Sequence, residues 1–292
     1  MATGAQWIQG ARPRTLPAAV APVLAGSGVA LYGYDFCWWR ALLALGVSLL
    51  LQVGVNYAND YSDGIRGTDD VRVGPLRLVG SGVAKPEAVK AAAFTCFGAA
   101  GVLGLALAVS TSWWLVLVGA LSILAAWFYT GGKKPYGYLG LGEVMVFVFF
   151  GLVAVLGTVY VQVERLPGVA WAPAVGIGAL ACAILVANNL RDIPTDTLAG
   201  KRTLAVKLGD VWTRRLYSIL AVVALLALVV LAHGTTVWAA IGLIGFVPLF
   251  KADVVVNRRR AVGPDLIPVL QLTGVGELLY ALGLFVGLWI GR

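Results

Sequence analysis

Charge is what this sequence has least of. Only 12% of its 292 residues are charged, against 60% hydrophobic, and the mean hydropathy is +0.87. That balance excludes a soluble globular domain, which carries about a quarter of its residues as charges. Cysteine is scarce as well. Cys37, Cys96 and Cys182 fall in or beside apolar runs with no ligand spacing between them, which argues against a disulfide framework and a cysteine-held metal and leaves packing. The single histidine, His233, lies in a connection between apolar runs and is assigned no role.

What fills the chain instead is a succession of apolar runs, each near the 20 residues that cross a hydrocarbon core. Nine are readable, at roughly 15–34, 38–57, 88–109, 113–130, 141–162, 170–190, 215–232, 236–254 and 266–290. They predict an all-α, polytopic membrane protein: one membrane-embedded domain over 1–292, with nine helices around a central cavity. If the N-terminus is cytoplasmic and connections alternate, 19 of the 22 basic residues fall inside, and only Arg40, Arg165 and Arg292 fall outside. The positive-inside rule therefore favours an N-in, C-out protein of the cell membrane. The net charge of +8 is accounted for by this bias and by attraction to lipid headgroups, so no nucleic-acid partner is called for. Arg12-Pro13-Arg14 leads into a run without a small-residue cleavage site, so the first run reads as a retained span.

The acidic residues are few and unevenly placed. Eight of the 14 lie in two inner connections: Asp60, Asp63, Asp69, Asp70 and Glu87, then Asp192, Asp196 and Asp210. The first group belongs to NYANDYSDGIRGTDD (56–70) and the second to NNLRDIPTD (188–196). Asn56-x-x-x-Asp60 and Asn188-x-x-x-Asp192 form a weak repeat 132 residues apart, consistent with Asp-bearing bundles at roughly 15–130 and 141–254 followed by a ninth helix. On a helix, Asn56, Asn59, Asp60 and Asp63 form one polar stripe, as do Asn188, Asp192 and Asp196, with Pro194 expected to bend or end the second helix. Such stripes offer hard oxygens suited to Mg²⁺, which takes one or two carboxylates and completes its shell with water and phosphate. Arg66, Arg72, Arg77, Arg191, Lys201 and Arg202 supply cations for a phosphate group, Arg77 and Lys201 foremost. A solvated helix cap is the better explanation of a lone carboxylate; two spaced stripes among cations favour a ligand site.

These residues resemble the UbiA-like intramembrane prenyltransferases over nearly the whole chain. ARPRTLPAAVAPVLAG (11–26), GPLRLVGSG (74–82), YTGGKKPYGYLGLGEVMVFVFFG (129–151) and GKRTLAVKLG (200–209), with the two acidic stretches, are similar to the branch that prenylates 1,4-dihydroxy-2-naphthoate in menaquinone synthesis, in its actinobacterial form. The resemblance implies Mg²⁺-dependent transfer of a polyprenyl chain from polyprenyl diphosphate to that acceptor, with its carboxylate leaving as CO₂. It implies two metal ions, held by Asp60, Asp63, Asp192 and Asp196. Asn56, Asn188, Arg191, Arg77 and Lys201 would meet the diphosphate, with Asp60, Asp192 and Lys201 central to its departure. Gly67 stands where many members carry a further acid, and Asp69 and Asp70 follow just beyond. Among the inner-face aromatics Tyr57, Tyr61, Trp127, Tyr129 and Tyr136, Tyr129 is singled out to face an allylic cation. The acceptor carboxylate needs a cation, for which Lys133, Lys134 and Arg14 are candidates. Glu143 and Glu277, in or beside spans, are read as orienting groups or interhelical hydrogen-bonding partners. The prenyl tail is expected to reach the lipid, and no obligate protein partner is evident. Rival readings are a prenyltransferase with another acceptor, such as 4-hydroxybenzoate, haem or a glycerol phosphate, and a cation-coupled transporter. The transporter would place its ion site near the bilayer midplane instead of at one face.

Overall fold

The computed structural model describes residues 2–67 and 76–292, and all nine apolar runs are helical in it. In order, the helices are α1 (Gly4–Gly10), α2 (Pro17–Leu31), α3 (Trp38–Gly64), α4 (Pro86–Ser110), α5 (Trp114–Phe128), α6 (Gly142–Val163), α7 (Gly168–Leu198), α8 (Leu204–Gly234), α9 (Val237–Arg258) and α10 (Gly263–Ile290). No strand occurs among the described residues. Helix is the required outcome for such runs, because in hydrocarbon every N–H and C=O must be paired within its own segment. Proline supplies the starts of α2 and α4, at Pro17 and Pro86, where its missing N–H leaves no hydrogen bond unmade.

Seven helices, α3, α4 and α6 to α10, are long and apolar enough to cross a membrane. The pair Gly4–Thr15 and Pro17–Leu31 adds an eighth if counted as one span, bent by 48°. Two of the nine expected spans are short: α2 and α5 have 15 residues each. At the α-helical rise, that is about 22 Å against a hydrocarbon core of about 30 Å. Pro194 departs from expectation, since α7 continues through it to Leu198. The loss there is one N–H donor, near the helix end, within a segment held by its packing against α8 and α6.

The helices close around a cavity of about 1100 Å³ walled by α2 to α7 and α10. Helices α8 and α9 add nothing to its lining; they buttress α7 and α10 from outside. The core is accordingly lopsided, with Ile177, Leu180, Leu228, Tyr280, Leu284 and Leu288 at its centre. Close approach of backbones depends on glycine. A Cβ at Gly151 of α6 would lie 2.7 Å from Gly178 Cα of α7, and one at Gly283 of α10 would lie 2.7 Å from Gly242 Cα of α9. Helix α5, in contrast, has no buried residue. At the end of the bundle away from Asp60 and Asp192, Arg40 of α3 donates to the carbonyls of Ser110 (2.6 Å) and Val161 (3.0 Å) and to Glu164 Oε1 (2.8 Å), tying the ends of α4 and α6 together.

Replacing Gly283 by leucine should therefore force α9 from α10 and cost about 1–3 kcal/mol. Gly98→Ala, where a Cβ meets nothing within 4 Å, should be neutral or stabilising. Thermal unfolding of both variants in detergent measures the contrast; equal midpoints would contradict the packing described.

Candidate active site

The cavity is polar at one end and apolar along the rest. Asn56, Asn59, Asp63, Arg77, Asn188, Arg191, Asp192, Asp196 and Lys201 line the polar end; Val47, Leu107, Leu115, Val118, Phe149, Val153 and Val161 line the apolar reach. This division follows from the helices themselves. Helices α3 and α7 are apolar over most of their length and carry their polar stripes only in their last turns.

Asp63, 4% exposed, is where the polar end is joined. Its Oδ1 accepts from the Tyr138 hydroxyl and lies 3.6 Å from Lys201 Nζ; its Oδ2 lies 3.8 Å from Arg77 Nη2. A buried carboxylate is tolerable only with such cationic and hydrogen-bonded company. Lys201 also sits 4.6 Å from the centre of the Tyr138 ring, and the Arg66 guanidinium lies 5.5 Å from it. Three connections thus converge: the one after α3 through Arg66 and Arg77, the turn before α6 through Tyr138, and the one after α7 through Lys201.

Asp60, 1% exposed, has a different surrounding from the one its place in the stripe suggests. Its oxygens accept the backbone N–H groups of Leu78 (2.7 Å) and Val79 (3.0 Å), and it does not line the cavity. It anchors the turn that presents Arg77. Asp60 and Asp63 lie only about 60° apart around the axis; what separates them is the returning loop, whose Leu78 and Val79 amides cover Asp60 and leave Asp63 at the cavity. Asn56 lines the cavity but spends its amide on the Ala11 carbonyl (2.9 Å) and Thr15 Oγ1 (3.0 Å), holding the Arg12-Pro13-Arg14 segment at the mouth.

On α7, Arg191 grips both oxygens of Asp192, Nε to Oδ1 at 2.6 Å and Nη2 to Oδ2 at 2.7 Å, and Nη2 also reaches Asn188 Oδ1 at 2.9 Å. Asp196, one turn on, lines the same cavity, and its carbonyl accepts from the Lys201 N–H at 2.8 Å. The connection that follows is docked on the turn before α6: Arg202 N–H donates to the Tyr138 carbonyl (2.9 Å) and Lys207 Nζ to that of Leu139 (2.6 Å). Tyr136, outside the spans, donates its hydroxyl to the Ala125 carbonyl at 2.7 Å; burial pushes its phenol further above the ordinary value, so it stays a neutral donor.

The structure thus brings Asn56, Asp63, Arg77, Tyr129, Asn188, Arg191, Asp192, Asp196 and Lys201 to one cavity. It does not bring Lys133 or Lys134, which are exposed and absent from the lining. Gly132, at φ 77°, turns the chain outward there, and Arg66 fixes that turn by donating to the Thr130 and Gly132 carbonyls. The cation at the mouth is instead Arg14, which faces the Gln271 amide oxygen at 2.9 and 3.1 Å when that amide is oriented to accept. Arg12, Tyr138, Asn189 and Gln271 also line the cavity without having been singled out from sequence. Tyr138 had one usable signal, its place in the YTGG–GLGE stretch. Asp69, Asp70 and Arg72 lie outside the described residues.

Set against known proteins, residues 19–267 match the UbiA prenyltransferase family. The chain is 54% identical over 293 aligned positions to the 1,4-dihydroxy-2-naphthoate octaprenyltransferase of Mycobacterium tuberculosis, covering 100% of this chain and 99% of that one. Among solved structures it is similar to the apo form of a UbiA homolog from Aeropyrum pernix K1 (TM-score 0.73, 14% identity, 92% of this chain and 97% of that one). It is also similar to a UbiA homolog from Archaeoglobus fulgidus bound to GPP and Mg²⁺ (TM-score 0.66, 14% identity, 97% and 99%).

If Asp60 anchors the Arg77 turn, Asp60→Ala should release the Leu78 and Val79 N–H groups. Their hydrogen exchange should then quicken by about tenfold, the equivalent of roughly 1.4 kcal/mol of local opening. Exchange at 78–79 unchanged from wild type would remove Asp60 from that role.

Proposed function

The chain belongs to the UbiA prenyltransferase family, and from that membership and its cavity we propose that it transfers a polyprenyl chain from polyprenyl diphosphate to 1,4-dihydroxy-2-naphthoate. The acceptor's carboxylate leaves as CO₂, and the products are the demethylmenaquinone skeleton and pyrophosphate. The observation that carries this reading is 54% identity across the full chain to a relative bearing that activity in its name.

The cavity suits such a reaction. A diphosphate belongs at the polar end, where Lys201, Arg77 and Arg191 would take up the charge that develops on the leaving group. The isoprenoid belongs in the apolar reach, where the hydroxyls of Ser48, Ser122 and Thr158 are spent on helix carbonyls and the rest of the wall is mostly apolar, which protects an allylic cation from hydrolysis. Tyr129, which lines the same cavity, offers an aromatic face to that cation. Arg14, at the mouth with Gln271, is the cation proposed to meet the acceptor carboxylate in place of Lys134.

No group of three metal-binding side chains occurs among the described residues. Mg²⁺ fits nonetheless, since it draws most of its shell from water and phosphate oxygens and only one or two carboxylates from protein. Asp63 on one side, and Asp192 with Asp196 on the other, are the residues proposed to hold it, with two ions in all. When bound, the metal supplies Lewis-acid activation of the departing pyrophosphate. Lys201 and Arg77 stand by Asp63 and Arg191 by Asp192, so these cations are already beside the place where phosphate would arrive. Asp60 acts through the loop that holds Arg77.

The same reading makes the protein a single nine-crossing unit of the cell membrane, N-terminus and polar end on the cytoplasmic side, with a weak pseudo-repeat between the Asp60 and Asp192 halves. The short α2 and α5 then cross with help from the residues flanking them.

The decisive assay uses purified protein, radiolabelled polyprenyl diphosphate, Mg²⁺ and dihydroxynaphthoate. Asp63→Asn and Asp192→Asn should each lower kcat/KM by on the order of 100-fold or more, and chelation of the metal should abolish turnover. Wild-type-like turnover in both variants would overturn the metal–diphosphate assignment. Faster reaction with 4-hydroxybenzoate would reassign the acceptor.

A further inference from the structure

Glu143, in the first turn of α6, is 7% exposed and has no part in the chemistry above. Its Oε1 accepts from Asn189 Nδ2 at 2.9 Å, and its backbone carbonyl accepts from Cys182 Sγ at 3.0 Å. Cys182 and Asn189 are seven positions apart on α7, hence on one face, so the start of α6 is fixed against that face at two points. Oε2 bonds to no described residue. Asn189 itself lines the cavity, three positions before Asp192 and so one turn from the polar end.

The orientation of the Asn189 amide follows from the chemistry of its partner. The Asn189 amide turns its NH₂ toward Glu143, whose Oε1 accepts from it. With Nδ2 committed, what Asn189 can offer the cavity is its carbonyl oxygen. The bond from Nδ2 to Glu143 polarises the amide and makes that oxygen a better acceptor. An aromatic hydroxyl donating to it would be pinned in place, and its ring made more electron-rich for attack on the allylic cation. A ring without the hydroxyl would leave a buried acceptor unpaired, a penalty that selects against it.

We propose that Glu143 is a positioning residue that locks the Asn189 amide so that Oδ1 receives the phenolic hydroxyl of the acceptor, and that this pair selects hydroxylated aromatic rings. The proposal rests on the aromatic acceptor argued for above. It concerns neither the metal nor the diphosphate.

The test compares wild type with Asn189→Ala, Glu143→Leu and Glu143→Gln in full-length purified protein. Asn189→Ala and Glu143→Leu should raise the acceptor KM about tenfold and lower kcat, while the KM for polyprenyl diphosphate stays within about twofold. Glu143→Gln keeps an oxygen for Nδ2 and should recover most of the loss. The two monomethyl ethers of dihydroxynaphthoate serve as competitors: wild type should bind one of them about tenfold more weakly than the parent acid, and Asn189→Ala should bind them alike. A purely structural role would instead lower the thermal midpoint, raise both KM values together and leave ether discrimination intact, and that pattern overturns the proposal. So does an acceptor KM unchanged in both Asn189→Ala and Glu143→Leu. If wild type turns over another hydroxylated aromatic instead of dihydroxynaphthoate, the acceptor reading above fails, and the same variants measured on that compound decide the Glu143–Asn189 pair separately. Turnover of no hydroxylated aromatic by wild type overturns both.

Discussion

The carboxylate of Asp63 holds together three stretches of chain that are far apart in sequence. Arg77, Tyr138 and Lys201 all meet at it, in a place where an unpaired negative charge would be untenable. Because these partners come from three different connections, the polar end of the cavity exists only when all three are docked. The apolar helices need no such agreement; they would pair in lipid by shape and by the close approach of glycines. The connections at the polar end therefore depend on Asp63 in a way that the spans do not.

Around that junction the bundle divides its labour unevenly. Helices α8 and α9 contribute nothing to the cavity wall and serve as a brace behind α7 and α10. Helix α5 lines the cavity yet buries no residue, so one wall is much less tightly packed than the others. The far end is stitched by Arg40 across the ends of α4 and α6. A rigid brace, a lightly packed wall and a tied far end suit a chamber that must accept a long flexible chain while keeping its charged end in register. The charge pairs at the polar end, Arg191 on Asp192 and Lys201 on Asp63, show how a chain with so few charges keeps buried carboxylates: it sets its own cations beside them.

Particular residues show what could be placed from the chain alone and what could not. Asp63, Asp192, Asp196, Arg77 and Lys201 share a cavity, and their helical spacing and sign of charge had marked them. Asp60 had the same marks, yet its oxygens go to the Leu78 and Val79 amides. Nothing in helical periodicity tells a carboxylate that faces a cavity from one that caps a returning loop, because the loop's path is not local information. Lys134 fails for a similar reason: a left-handed glycine at 132 sends it outward. Tyr138, Arg12 and Asn189 lacked a pattern of their own, being placed by glycine turns and by neighbouring helices. The continuation of α7 past Pro194 belongs with these, since packing outweighed the backbone preference to end the helix there.

By itself, then, the sequence determined that this chain is a bundle of membrane helices and that most of its acidic residues are gathered in two connections, because hydrophobic run length and the cost of burying charge are properties of composition along the chain. Tertiary structure alone decided which carboxylates face the cavity, which cations neutralise them, and that Glu143 is paired with Asn189 beside the polar end. Those outcomes depend on the direction of each side chain around its helix axis relative to a neighbour far away in sequence, and that relation comes into being only when the helices pack.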